Sequence, residues 1–526
     1  MTEESTPADT GELSPREVRM VLGRLAPIDR EDLRWLGIGL GAGLLAVAVY
    51  LATNPYPAYG AGLYVQIATE ISAHGYGLPA WIPGYTADSV PFAYPPLQFY
   101  VLAVLLDLGG DPVVLARLLP SVGYLALLVP VYLLGRDYTN SRPAGAAASV
   151  AVAVNPQLVQ WHLSAGGVVR AFALLYALTA VYAGYRIFET GSTRAVAVGT
   201  VAFGATVLTH PTYALFVVVT YLLLWILRDR SKSGFVAGAI VGVGGTVIAS
   251  PWLVWVLTTH GIDVFVAAGG THGGIGGGIP TILDGASLTL LPLAGAVYLY
   301  VARRDVFLLS WTVVAELVFA QPRFVFLVGA LVVAAVGVDF AQRVEPLDGH
   351  VNEAIDKKTV LAAVCLVAGA TVGGAYLAHE MTLTSDPSTP QFLDSDDLDA
   401  MAWVAAETPP DVTFVVLGDA AEWLPALTDR TLLVGPWGVE WRDSEMYDRQ
   451  LTAYESVSRC QSVTCVESMA GPVSVSPDYV YIPKGQYTIR GESTAQFGTL
   501  ERSFERSSSW ERSYENDGVV VYRASG

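Results

Sequence analysis

The sequence predicts an α-helical membrane bundle of about eleven transmembrane helices followed by an extracytoplasmic α/β domain. Three observations carry this. Apolar runs close to the ~20 residues needed to cross ~30 Å of hydrocarbon recur through the first 380 positions. The chain of 526 residues is 52% hydrophobic and only 15% charged, with a mean hydropathy of +0.45. From about Ser385 the character changes, with acids, Ser and Tyr among short apolar runs. The resulting division is a cytoplasmic tail (1–34), a membrane region (35–379), a linker (380–394) and a C-terminal domain (395–526).

Met1 to Arg34 is polar and acidic and has no signal-peptide core, so Trp35–Thr53 is expected to be an uncleaved span. Later spans are expected at about 113–135, 143–158, 167–187, 195–209, 212–227, 235–258, 282–301, 305–320, 323–341 and 359–378. With the N-terminus inside, the inner loops hold Arg136 and Arg142, Arg186 and Arg194, Arg228, Arg230 and Lys232, Arg303 and Arg304, then Arg343, Lys357 and Lys358. The opposite loops hold very few basic residues, which is what the positive-inside rule requires. An odd number of spans puts the C-terminal domain outside, in a multi-pass protein of the cell membrane. Tyr94–Leu108 is apolar but too short to cross, and reads as a helix in the outer interface opened by Pro95-Pro96.

In the tail, Ser395–Glu407 fits an amphipathic helix with Ser395 as N-cap and Pro409-Pro410 beyond its end. Strands are expected at Val412–Leu417, Arg430–Val434, Tyr479–Ile482 and Val519–Tyr522, the last preceded by the turn Asn516-Asp517-Gly518. A second helix is expected at Met446–Val457. Cys460 and Cys465, with four residues between them in an outside domain, read as a disulfide. A metal pair is the alternative, but no nearby His or Cys completes a site. Cys365 lies in an apolar run and reads as a core residue.

A net charge of −18 excludes the basic surface that nucleic acid needs. Lysine is confined to Lys232, Lys357, Lys358 and Lys484. This acidic, lysine-poor composition resembles proteins of salt-loving archaea.

The first outer loop, 54–112, is the longest interruption of the membrane half, and long ordered loops usually carry function. It contains Tyr64, Ala68, Ile71 and Gly75 at the spacing Tyr-x-x-x-Ala-x-x-Ile-x-x-x-Gly, then Tyr94-Pro95-Pro96-Leu97. Arg117 opens the second span, Asn155-Pro156 closes the third, Leu208-Thr209-His210-Pro211 closes the fifth, and Gln321-Pro322-Arg323-Phe324 opens the tenth. In the tail stand Ala405–Asp411, Ala421-Glu422-Trp423-Leu424-Pro425 and Tyr514-Glu515-Asn516-Asp517-Gly518. Together these resemble the GT-C superfamily of polyprenyl-phosphate-sugar glycosyltransferases, in particular its mannosyltransferase and aminoarabinose-transferase-like group. The resemblance implies a polyprenyl (dolichyl) phosphate-linked sugar as donor, membrane lipids as surroundings, and a glycan, protein or lipid acceptor outside the cell. It also implies an acid just after the first span, acting as base or metal-proximal carboxylate. Here that position reads Gly60-Ala61-Gly62, and no Asp or Glu stands between Asn54 and Val65. Asn155–Gly166 in the second outer loop lacks an acid as well.

For the missing carboxylate the candidates are Asp88, at a Pro/Gly-rich corner of the first outer loop, Glu316 within the 305–320 span, and Glu70. Glu70 also reads as a solvated face of the loop helix, and Glu316 as a pathway acid. Arg170 and Arg323 lie at outer ends of spans, where a cation suits a lipid-linked phosphate or snorkels to headgroups. His162, His210 and Tyr64 complete the candidate binding residues, the histidines reading equally as packed rings. Relatives include users of a divalent metal, but no metal-ligand spacing is present and no cofactor is expected. Two further readings stand beside the transferase: a non-catalytic protein binding lipid-linked glycan, and a transporter, against which there is no internal repeat or pair of broken helices.

Overall fold

A computed structural model describes residues 28–271, 286–319, 321–343, 390–471 and 476–525. The described residues are mostly helical, and among them six helices are long and apolar enough to cross a membrane: Arg30–Thr53, Pro112–Thr139, Gly167–Thr190, Pro211–Arg228, Lys232–His260 and Pro322–Gln342. Shorter helices at Arg142–Ala153, Thr193–Val207, Ala286–Arg303 and Val306–Val314 pack among them. The expected span at 359–378, and Cys365 within it, lie outside the described residues.

The first helix starts at a capping box, Asp29 taking the Asp32 amide and Asp32 returning to the Asp29 amide. The same acids gather the basic residues of the neighbouring helix ends. Arg136 meets Asp32 at 2.9 Å, and Arg142 meets Asp29 at 2.7 Å and Glu31 at 3.0 Å. Arg228 approaches Glu189, and Arg303 binds Asp339. At this end of the bundle, guanidinium groups are held by carboxylates, which a low-dielectric boundary demands.

At the other end, the long loop 54–111 folds onto the C-terminal domain. Its helix Gly62–Ala73 packs on Leu97–Asp107, whose Val101, Val104 and Leu108 remain exposed, an apolar face suited to the interface of a bilayer. Two short strands, β1 (Trp81–Ile82) and β2 (Val90–Pro91), pair antiparallel between them. The C-terminal domain adds β3 (Thr413–Val416), β4 (Thr431–Leu432), β5 (Tyr479–Pro483), β6 (Gly485–Ile489), β7 (Glu492–Gln496), β8 (Trp510–Glu515) and β9 (Val519–Ala524). Its main sheet runs β4-β3-β5-β9-β8, parallel over the first three strands and antiparallel over the last three. Val480, Val520 and Val521 are fully buried, and the helix Ser444–Val457 buries Tyr454 and Val457. The hairpin β6-β7 stands apart from this sheet.

The cap of helix Ser395–Glu407 differs from expectation. Asp394 is the N-cap, accepting from Asp397 N at 2.9 Å, while Asp397 accepts from Asp394 N at 3.1 Å. An acid three residues beyond Asp394 closes a reciprocal box, whereas Ser395 would face Leu398. Asn516 closes its turn as expected, accepting from Gly518 N and Val519 N. A disulfide joins Cys460 to Cys465 across a Cα–Cα distance of 5.5 Å.

Candidate functional site

Loop, bundle and C-terminal domain meet where several helix ends converge, at the end of the bundle away from the Asp32–Arg136 pair. The short helix Pro156–Leu163 begins at Asn155, whose side chain accepts from Leu158 N, with Pro156 at its first position. This places Trp161 and His162 on successive positions at the head of helix Gly167–Thr190. The Arg170 guanidinium lies 5.1 Å from the Trp161 ring centre. Arg323, in the first turn of helix Pro322–Arg343, lies 5.8 Å from the same ring and 5.7 Å from Tyr213. Two cations thus share one indole, close enough for their charges to oppose one another. Among the described residues neither forms an ion pair. Buried Arg323 Nε and Gln321 Oε1 have no hydrogen-bond partner there either.

The rest of the predicted binding set surrounds this pair. His162 is fully buried, its Nε2 2.8 Å from Tyr213 Oη and its Nδ1 2.9 Å from Leu158 O. Its ring is held between helices, in the manner of a packed histidine. The His210 ring packs edge-on against Tyr213 at 5.0 Å. Tyr59 stacks on Trp161 at 6.0 Å, takes a 2.9 Å hydrogen bond from Gln160 and meets Phe392 of the linker. Tyr64 lies on the loop helix, packed against Tyr94 and Phe99, and feels the charges of Arg170, Glu422 and Glu440 together.

The three predicted acids are elsewhere. Asp88 is 68% exposed and reaches Arg442 at 3.4 Å. Glu70 is 3.7 Å from His74 on its own helix, with burial lifting its carboxyl above the usual range. Glu316 is half-buried in the π-helical turn Ala315–Phe319. None forms an ion pair with Arg170 or Arg323 among the described residues.

A carboxylate that sequence reasoning did not single out occupies the loop instead. Glu422, in the 3-10 turn Asp419–Trp423, sits against Gly60-Ala61-Gly62 so closely that a Cβ at Gly60 would overlap its oxygens. Tyr85 Oη donates to Glu422 O at 2.6 Å, fixing the turn on the loop. Burial, with Asp419 and Glu440 nearby, pushes the Glu422 carboxyl up to about 8, against the opposing pull of the Leu63 N–H and the Trp437 side chain. Glu440 binds Tyr94 Oη, so two glutamates of the C-terminal domain flank Tyr64. The available signal was the unbranched Gly60-Ala61-Gly62 itself, which leaves room for a side chain from another segment.

Beside Tyr59, between Thr53-Asn54, the linker 390–394 and the C-terminal domain, lies a polar cavity of about 400 Å³ lined by Asp394, Asp397, Lys484 and Gln486 among others. Among the described residues no group of three or more His, Cys, Asp or Glu is arranged to hold a metal ion.

Residues 93–255 match the family described as dolichyl-phosphate-mannose-protein mannosyltransferase. No curated protein sequence matches the chain. Among solved structures, the chain is similar to ArnT from Cupriavidus metallidurans bound to undecaprenyl phosphate, at 14% identity and TM-score 0.57, covering 93% of this chain and 98% of that one. It is similar to the archaeal oligosaccharyltransferase AglB from Archaeoglobus fulgidus, solved with an inhibitory peptide and a dolichol-phosphate, at 13% identity and TM-score 0.54, over 85% of this chain and 69% of that one. The arabinofuranosyltransferase AftD from Mycobacteria matches at 14% identity and TM-score 0.58 over 94% of this chain, which spans 40% of AftD. With the membrane bundle and the sheet-bearing C-terminal region both inside these matches, the chain has the fold of the GT-C superfamily of membrane glycosyltransferases.

Proposed function

We propose that this protein transfers a sugar from a polyprenyl (dolichyl) phosphate carrier to an acceptor on the extracytoplasmic face of the cell membrane. The observation that carries the reading is the convergence of Arg170 and Arg323 on Trp161, without a carboxylate partner among the described residues. At the opposite end of the bundle, Arg136, Arg142, Arg228 and Arg303 are all ion-paired. Two guanidiniums without a carboxylate partner among the described residues favour an anion that both can bind, and a phosphate on a lipid fits that charge. The matched dolichyl-phosphate-mannose-protein mannosyltransferase family, and the lipid phosphates bound in the ArnT and AglB structures, support that ligand.

The accompanying topology has eleven crossings, the N-terminus in the cytoplasm and residues 395–526 as an extracellular domain. The acceptor is a glycan, protein or lipid hydroxyl reaching the site beneath that domain. Equilibrium binding of dolichyl phosphate to the full chain in nanodiscs tests the reading. Arg170→Ala and Arg323→Ala should each weaken binding at least ~10-fold, as expected for charge-assisted hydrogen bonds of about 1.5–3 kcal/mol. Unchanged binding in the double variant removes the phosphate site and the transferase with it. The non-catalytic alternative, motivated by the acid-free Gly60-Ala61-Gly62, requires carrier binding with no transfer.

A further inference from the structure

We propose that Glu422, brought to the first outer loop by the C-terminal domain, is the group that takes the proton from the acceptor hydroxyl. This rests on the transferase reading above. In that transfer the bond from the sugar anomeric carbon to the carrier phosphate breaks, its electron pair leaving on the phosphate oxygen. The acceptor oxygen bonds to the same carbon, and its proton must pass to a base as it does so. Glu422 takes that proton and later releases it to water.

The geometry selects Glu422 over the other acids near the loop. Asp88 is exposed and engaged with Arg442, and Glu70 is turned toward His74. Glu422 is only 6% exposed, a burial rare for a carboxylate unless it is paired or used. No basic side chain forms an ion pair with it among the described residues. It lies at the N-terminus of the helix Gly62–Ala73, whose amides favour its charged form. Tyr64 is on the first turn of that helix, and the charges of Arg170, Glu422 and Glu440 all act on its phenol. Tyr64 is thus a side chain that senses both a cation of the arginine pair and the Glu422 carboxylate. Gly60 has no side chain to intervene.

The charged and titratable groups around Glu422 are Asp419 and Glu440 of its own domain, Tyr64 and Tyr85 of the loop, Tyr94 beside Glu440, and Arg170 of the bundle beyond Tyr64. Burial first, and then the charges of Asp419 and Glu440, push the titration of Glu422 up to about 8. A base with that affinity for protons is strong yet still ionises in the neutral-to-alkaline range.

A purely structural role would make Glu422 a clamp that docks the C-terminal domain on the loop, and the test separates the two. Membranes lacking the chain's gene product are re-supplied with wild type, Glu422→Gln, Glu422→Asp or Glu422→Ala, and their own lipid-linked sugars are pulse-labelled. Glutamine keeps the shape and can accept the Leu63 N–H, but cannot take a proton. Glu422→Gln should bind dolichyl phosphate within about twofold of wild type and keep its unfolding temperature, yet transfer label at least ~100-fold more slowly, the scale of lost general-base catalysis. Glu422→Asp should recover part of the rate, and the rise of wild-type rate with pH toward about 8 should vanish from the residual rate of Glu422→Gln. Transfer by Glu422→Gln near the wild-type rate overturns the proposal alone. So does a glutamine variant that loses stability and carrier binding together with transfer, as the clamp role requires. Wild-type membranes that bind carrier but transfer no label overturn the transferase reading, and the proposal with it.

Discussion

The carboxylate of Glu422 lies against the α-carbon of Gly60, in a space that any other residue at position 60 would fill. Two segments more than three hundred and fifty positions apart are thereby interlocked. The contact couples the loop over the arginine pair to the C-terminal domain, so its disturbance should be read in both stability and binding.

Gly60→Ala is expected to lower stability by about 1–3 kcal/mol, the usual cost of forcing extra volume into a packed contact. Thermal unfolding of the detergent-solubilised chain measures it. Combining it with Glu422→Ala removes the overlapping oxygens, so the double variant should lose less than the two single losses added together. Strict additivity would mean that the two residues do not meet.

Stability of the loop–domain junction should fall as pH rises. Burial lifts Asp397 to about 7 and Glu422 to about 8, against about 3.9 and 4.3 for unfolded Asp and Glu. Acids with raised folded values bind more protons folded than unfolded across that interval. Their contribution is therefore complete below about pH 4 and is lost as pH climbs to about 8. Unfolding temperatures at pH 6 and pH 9 should differ in wild type, and the difference should shrink in Asp397→Asn and Glu422→Gln. A difference that is unchanged in both variants would place the titrating groups elsewhere.

Trp161 carries both guanidiniums, so its loss should matter more than that of an ordinary ring. Each cation–π contact is worth about 0.5–2 kcal/mol. Trp161→Ala should accordingly weaken dolichyl phosphate binding several-fold or more, and Trp161→Phe should recover part of it. Equal affinity in wild type and Trp161→Ala would show that the arginines hold position without the indole.

Long apolar runs and their flanking arginines made most of the bundle legible, because hydrocarbon thickness sets helix length residue by residue. Arg170 and Arg323 stood out for the same reason, as cations on the side where such residues are scarce. Their shared contact with Trp161 did not, since it depends on three helix starts meeting in space. The hairpin β6-β7 also escaped notice. Its strands run Gly-Gln-Tyr-Thr-Ile and Glu-Ser-Thr-Ala-Gln, each going from exposed to buried along its length, and lack the alternation that a buried face imposes. Nor could local pattern connect Glu422 to Gly60, because nothing near either position in the chain refers to the other. Asp88 was attractive as an acid at a constrained corner, but a corner reports where the backbone turns and not which way a side chain faces.

The orientation can be decided by labelling. Thr193 is exposed at the start of helix Thr193–Val207, near the end of the bundle where Arg186 and Arg228 lie, and Ser508 is exposed in the C-terminal domain before β8. Single cysteines at these positions, with Cys365→Ala to remove the remaining free thiol, probe the two sides of the membrane. Cys460 and Cys465 need no replacement, since a bonded pair does not react with a maleimide. In intact cells an impermeant maleimide should label Ser508→Cys and leave Thr193→Cys untouched until the membrane is opened. The disulfide supplies an independent check, because such a bond persists only in an oxidising compartment. Mass spectrometry of unreduced peptides should find Cys460 and Cys465 linked on the same side as the labelled Ser508→Cys. Labelling at Thr193→Cys with protection at Ser508→Cys would invert the chain, and would place the arginine pair on the cytoplasmic face.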